Sequence, residues 1–304
     1  MSSEWRVTKY EAWSATCDTL HAHTQVLGKL AVSLAPPEPQ LQHAALRLTA
    51  RGWETRPLPA PDGSGVFGVA LDLRIHEALV EHEDGSTRRI PLTPNRAVAE
   101  VTCDLLGAVR ELAGDVEINP KPQEVPWETP LDEDTEHATY EPDRVRDYFR
   151  AATRAARVLE EFRAPWRGRS TPVNAWWGSF DLAVNLFSGR LVEPPAPDFL
   201  TRNSGDAETI AVGWWPGDRR YPRPAFFGYA SPPPPDPAAI DVSPGRYDET
   251  LGEYLLDMEA AAATPDPHAT ALAFARAVGR RCLGACDWDP ALAGSLEGEP
   301  PPVS

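Results

Sequence analysis

Apolar and polar positions alternate most densely in Pro172 to Arg190, PVNAWWGSFDLAVNLFSGR. Taken two by two, Trp176, Phe180, Leu182, Val184 and Leu186 share one face, and Trp177, Ser179, Asp181 and Asn185 share the other. That period predicts a β-strand with one face in a core. The opposite face is polar yet carries a tryptophan. It suits either a solvated sheet surface or the wall of a pocket for something small and partly flat.

Helical spacing governs the start of the chain. Trp13, Cys17, Leu20, Leu27, Ala31 and Leu34 predict a long core-facing helix from Tyr10 to Leu34, stopped by Pro36 and Pro37. His21, Gln25 and Lys29 stand four apart along one edge of it, either as a wet shoulder or as a row of donors and acceptors leaning over a sheet. Strands are expected at His43 to Thr55, Val66 to Ile75, and Ala78 to Leu92, the last bent at Glu83-Asp84-Gly85-Ser86. Asn95 is expected to cap a helix whose Val98, Val101, Leu105, Val109 and Leu112 point inward until Gly114. A short strand at Val116 to Ile118 follows, and then an exposed linker, rich in proline and acid, over 119–142.

The second half retraces the first. A helix from Asp143 to Phe162 precedes the opening strand, short strands follow at Glu208 to Trp214 and Ala225 to Ser231, and Tyr247 to Met258 is expected to be partly helical. A last helix runs from Asp266 to Leu283. Laying Gln40 to Arg51 over Asn174 to Asn185 puts Leu46 on Phe180, Leu48 on Leu182, Arg47 on Asp181 and His43 on Trp177, which reads as an internal duplication. The predicted architecture is α+β: two pseudo-repeated units of antiparallel sheet flanked by long helices, 1–118 and 143–290, packed into one pseudo-symmetric body with a loosely ordered tail over 291–304. A ligand pocket is expected at the seam between the repeats.

Charge narrows the partners. Against 29 basic residues stand 45 acidic ones, a formal net charge of -16 that repels phosphate backbones, so nucleic acid is not expected. No apolar run resembles a signal peptide or reaches the ~20 residues that span a bilayer, so a cytoplasmic protein without a membrane partner is expected. Cys17, Cys103, Cys282 and Cys286 make no disulfide framework, and Cys282 with Cys286 lacks the further ligands of a zinc site. Neither GxxxxGK[ST] nor a GxGxxG between strand and helix occurs, so no cofactor is expected. Asp132, Glu133, Asp134, Glu136 and His137 lie close together but match no metal-ligand spacing.

The runs LHAHTQVLGK, LTARGW, EHATYEPD, PVNAWWGSFDLAVNLFSGR and VGWWPG, in that order, resemble an uncharacterised bacterial family, largely actinobacterial. The resemblance covers most of the chain and implies no particular reaction. It also implies histidines where this chain has Gln40, Asn174 and Ala207, and amides ligate divalent metals more weakly than imidazoles do.

Three functions are compatible with these residues. In the first, an enzyme of specialised metabolism works on a small molecule by acid-base chemistry, with His21 as base and Asp181 orienting it or the substrate. Arg47, Arg51 and Arg190 would hold a carboxylate or phosphate, and Trp177 with Trp214 or Trp215 would stack on a ring. Gln25, Lys29, His43, Asn174, Ser179 and Asn185 complete the candidate binding set. The second is a ligand-binding or interaction protein without turnover, and the third a metalloenzyme using His21, His43 and His137.

Overall fold

The computed structural model describes residues 5, 7–194, 196–197 and 199–294. The first unit opens with α1 (Ser14–Leu34), followed by a 3-10 segment (Pro39–Ala44). Its strands are β1 (Arg47–Leu48), β2 (Gly52–Glu54), β3 (Leu58–Pro59), β4 (Val66–Asp72), β5 (Glu77–His82) and β6 (Thr87–Pro91), and α2 (Val98–Ala113) closes it. The second unit runs α3 (Pro142–Arg163), β7 (Asn174–Trp176), β8 (Asp181–Leu191), α4 (Phe199–Ser204), β9 (Ala207–Trp215), β10 (Ala225–Ser231), β11 (Arg246–Asp248), β12 (Glu253–Asp257), α5 (Met258–Ala262) and α6 (Pro267–Ala285).

Both sheets are antiparallel meanders between helices. The first has the order β1-β2-β4-β5-β6 with β3 added on β4, and the second β7-β8-β9-β10-β12 with β11 added on β12. Their leading strands meet where Leu46 N–H donates to Ala175 O at 3.0 Å and Ala175 N–H donates to Leu46 O at 2.9 Å. The two sheets are thus joined edge to edge. Across that seam Leu46 and Ala175 face each other as an antiparallel bridge. One apolar core runs through both units, from Leu20 and Leu27 on α1 to Val278 on α6.

Phe180 ties the units together. Its ring stacks on Trp53 at 5.3 Å, on Tyr148 at 5.1 Å and on His21 at 4.9 Å, while Trp53 Nε1 donates to the Tyr148 hydroxyl. Its φ of 58° places it in the left-handed region, unusual for a bulky residue, and turns the chain back on itself. The predicted single strand over 172–190 is therefore a hairpin, with Trp176 opposite Asp181 and Ala175 opposite Leu182. Because the turn interrupts the period, Trp176 shares a face with Asp181 rather than with Leu182.

Other predicted elements shift for similar reasons. His43 lies in the 3-10 segment, where Gln40 and Leu41 are left-handed, and the strand expected from His43 is a short hairpin pairing Leu48 with Trp53. Tyr247 to Asp257 forms β11 and β12 rather than helix, and Val116 to Ile118 pairs with no strand among the described residues. Asn95 lies outside α2: Glu100 accepts from Ala97 N–H, and the free first-turn donors of Val98 and Ala99 go to the carbonyls of His137 and Asp134. The loop over 119–142 is accordingly packed rather than exposed throughout, with Leu131, Asp134 and Tyr140 buried. In the tail, Pro290–Ala293 forms a 3-10 turn, while 295–304 lies outside the described residues.

Candidate functional site

Period two along β8 sends Leu182, Val184 and Leu186 into the core under α3 and α6, and turns Asp181, Ala183, Asn185 and Phe187 to the opposite face. Antiparallel register adds Thr209 and Trp215 from β9, Phe227, Tyr229 and Ser231 from β10, and Glu253 from β12. This face is not open. The end of α1, the 3-10 segment, Gln123 and Glu124, α4 and the β9–β10 turn surround it, enclosing a trough of about 830 Å³. Ala183 in its floor is small. Trp215 packs edge-on against Phe227 at 5.5 Å, and Phe227 stacks parallel to Tyr229 at 6.4 Å.

Carboxyls set the electrostatics of the trough. Asp181 is 7% exposed, and its only side-chain partner among the described residues is the Ser179 hydroxyl, which donates to Oδ1. Burial, reinforced by the charges of Glu124 and Glu253 and opposed by the Ser179 hydrogen bond, raises its pKa from 3.8 to about 7. Burial likewise raises Glu253 to about 7 against the pull of Arg220, and raises Glu124 at the exposed rim. The Tyr229 phenol is pushed up by burial and then by these same three carboxyls. Arg220 does not neutralise the group by contact, because its Nε and Nη2 both donate to Asp218 Oδ2.

The row on α1 fastens the walls of this trough. His21 Nε2 lies 2.8 Å from Trp177 O and 3.0 Å from Gly178 O. Since carbonyls only accept, the ring proton sits on Nε2. Burial lowers this histidine to about 4, so it stays neutral and locked under the hairpin turn, outside the trough. Gln25 clasps the main chain of Gln123 with both amide atoms at 2.9 Å, and Lys29 Nζ donates to Lys121 O at 2.6 Å. These clasps position the Gln123–Glu124 wall. Lys29 also borders the trough, and burial lowers its pKa to about 8.

Of the sequence candidates, Lys29, Trp177, Ser179, Asp181, Asn185 and Trp215 line the trough. Trp177 does so only at its edge: its Nε1 donates to Ala44 O, and its ring fills a notch at Gly28, where a Cβ would lie 2.1 Å from Trp177 Cδ1. Trp214 faces the core and neighbours Tyr148, so Trp215 is the tryptophan on the trough side. Arg47 donates to Asn174 Oδ1 and Asn174 to Gln42 Oε1, a seam between the units. Arg51 pairs with Glu54 and Glu81 on the first sheet, and Arg190 pairs with Glu208. His43 Nδ1 accepts from Glu38 N–H, and His137 Nδ1 bonds Asp134 Oδ2 at 2.7 Å. No group of three or more His, Cys, Asp or Glu that could hold a metal ion occurs among the described residues. Glu124, Tyr229 and Glu253 gave no local signal, since only the register of distant strands and the Gln25 clasp bring them together.

The model of DUF5996, a family of unknown function, matches residues 5–294. The chain belongs to DUF5996. The match takes in both units of this DUF5996 chain, so seam and trough alike fall within it. No curated protein and no solved structure matches the chain. No helix among the described residues of the DUF5996 chain is long and apolar enough to cross a membrane.

Proposed function

We propose that this DUF5996 chain binds a small organic molecule in the trough over its second sheet and exchanges a proton with it through Asp181. The observation that carries this reading is a buried carboxyl, held near neutrality, that borders an enclosed aromatic floor. A group titrating near pH 7 accepts and returns protons with little thermodynamic penalty at working pH. Ser179 orients the carboxyl, while Trp215, Phe227 and Tyr229 offer flat apolar surface. His21 acts here by position, holding the turn that carries Ser179. The acid-base chemistry asked of Asp181 needs no cofactor.

A second reading, a binding protein without turnover, is favoured by one observation. Among the described residues Asp181 has Ser179 as its side-chain partner and no hydrogen-bonded histidine or lysine to share a proton with. One experiment separates the two. The full chain is incubated with a mixed metabolite extract and followed by mass spectrometry beside Asp181→Asn and Ala183→Trp, the latter filling the floor. Consumption of a compound that falls about 100-fold or more in Asp181→Asn supports acid-base turnover, and a compound retained but unchanged supports binding alone. Consumption or retention unaffected by either substitution overturns the site.

A further inference from the structure

The trough asks for a particular charge. Four of its lining residues are acidic, Glu124, Asp181, Asp218 and Glu253, and two are basic, Lys29 and Arg220. Both basic groups are engaged, Lys29 with the Lys121 carbonyl and Arg220 with Asp218. That leaves Glu124, Asp181 and Glu253 facing the cavity without an ion pair among the described residues. Asp181 is more than nine-tenths buried, with Oδ1 held by Ser179 and no other side-chain partner among the described residues. Buried carboxyls are ordinarily paired, because leaving a charge unpaired away from water is costly. Among the described residues no side chain supplies an ionic partner here.

Aromatic rings complete the recognition chemistry. Trp215, Phe227 and Tyr229 lie on the same sheet face as Asp181 and Glu253, so a positive group settling between the carboxyls also meets ring faces and edges. Carboxylates beside aromatic surface attract a cation twice over, by charge and by the negative ring face. An anion would meet three carboxyls, of which Arg220 acts on Glu124 and Glu253 only at a distance, and a neutral ligand would leave them without an ion pair. We infer that the ligand of this trough is an organic cation, an ammonium or guanidinium group on an apolar body, seated between Asp181 and Glu253 on the aromatic floor. This rests on the trough being the ligand site, and it adds the ligand's chemical class.

Isostere pairs test the charge alone. With the full chain at pH 8, calorimetry compares (2-hydroxyethyl)trimethylammonium with 3,3-dimethylbutan-1-ol, which replaces the charged nitrogen by carbon, and with pivalate, which carries the opposite charge. The ammonium should bind at least about tenfold tighter than its neutral isostere, the size expected for one desolvated cation–π and charge contact. Asp181→Asn and Glu253→Gln should each weaken the ammonium by about fivefold or more and leave the alcohol unchanged. Equal or tighter binding of the alcohol or of pivalate overturns the cation inference, as does no saturation by the ammonium up to about 10 mM. Binding of any probe that survives Ala183→Trp places it elsewhere and overturns the trough reading itself. Glu253→Gln, on a partly exposed residue, decides the charge question if Ala183→Trp disturbs the sheet.

Discussion

Asp181→Asn should make the protein more stable at high pH and leave it unchanged at low pH. The folded carboxyl titrates at about 7 and an unfolded one at 3.8, so the folded state holds its proton more tightly. Below 3.8 both states are protonated and the residue contributes no difference. As pH rises toward 7 the unfolded state ionises first, stability falls, and above 7 the full cost of the buried charge is present. A gap of about 3 units at 1.36 kcal/mol each sets an upper limit of about 4 kcal/mol. The coupling to Glu253 and Glu124 and the loss of part of the Ser179 hydrogen bond bring the expected gain to about 1–3 kcal/mol at pH 8. In a chain of this size that raises Tm by roughly 2–6 °C. His21 and His23, both lowered to about 4 by burial, tilt the wild-type curve the other way over an overlapping range. The informative quantity is therefore the difference in Tm between variant and wild type, measured by calorimetry from pH 4 to 8. A difference that grows with pH fits a strained buried acid. A variant less stable than wild type, and most so at pH 8, would show Asp181 to be a favourably paired carboxylate and refute the electrostatics argued above.

Two further predictions concern the hairpin that carries Asp181. Gly28→Ala should destabilise although alanine favours helix by about 1 kcal/mol, because a Cβ 2.1 Å from Trp177 expels the ring at about 1–3 kcal/mol; in a Trp177→Ala background the same change should stabilise, and a gain of Tm in the wild-type background would sink the notch. Phe180→Ala should cost about 3–5 kcal/mol by emptying the stack with Trp53, Tyr148 and His21. Phe180→Gly should cost about 1 kcal/mol less than alanine, since glycine is at ease at φ 58°, and the reverse order in urea melts would contradict the left-handed turn.

Long helices and the faces of β8 were legible because their signal is local. The stripes of α1, α2, α3 and α6 recur every three or four residues, and Leu182, Val184 and Leu186 alternate without interruption. The turn at 177–180 carries a mark, the pair Gly178-Ser179, but period-two alternation continues on either side of it and reads as one strand, and the left-handed Phe180 that completes the turn is held by ring stacking from both units. Spacing placed His21, Gln25 and Lys29 on one helix edge correctly but could not say what that edge faces. It faces main-chain carbonyls, and a polar row becomes a clasp. Burial of Asp134 was hidden too: its main-chain carbonyl takes Ala99 N–H from α2, while its carboxylate takes the N–H groups of Glu136 and His137 and the His137 ring within the loop.

The duplicated plan supplies its own control for reading the trough as a site. On the first sheet, the face away from the core also bears carboxylates, but each finds a cation: Glu54 and Glu81 share Arg51, and Glu77 takes Arg89. Those pairs are partly exposed, and the buried Asp72 on the same face takes Arg74, so every one of these carboxylates has an arginine partner. On the second sheet the corresponding face bears Asp181 and Glu253 without such partners, beneath walls built from α1, the 3-10 segment and the loop at Gln123 and Glu124. Two sheets of one plan thus treat their carboxyls oppositely, one set paired with arginines, the other left without ion pairs among the described residues. Folding alone gains nothing from the second arrangement, since burying unpaired carboxyls costs stability that arginines at the positions used in the first sheet would recover. The clasps of Gln25 and Lys29 maintain that roof at the expense of burying an amide and an ammonium on α1. That contrast, unpaired carboxyls kept in one copy and paired in the other, is the ground for placing the proposed ligand site in the second copy.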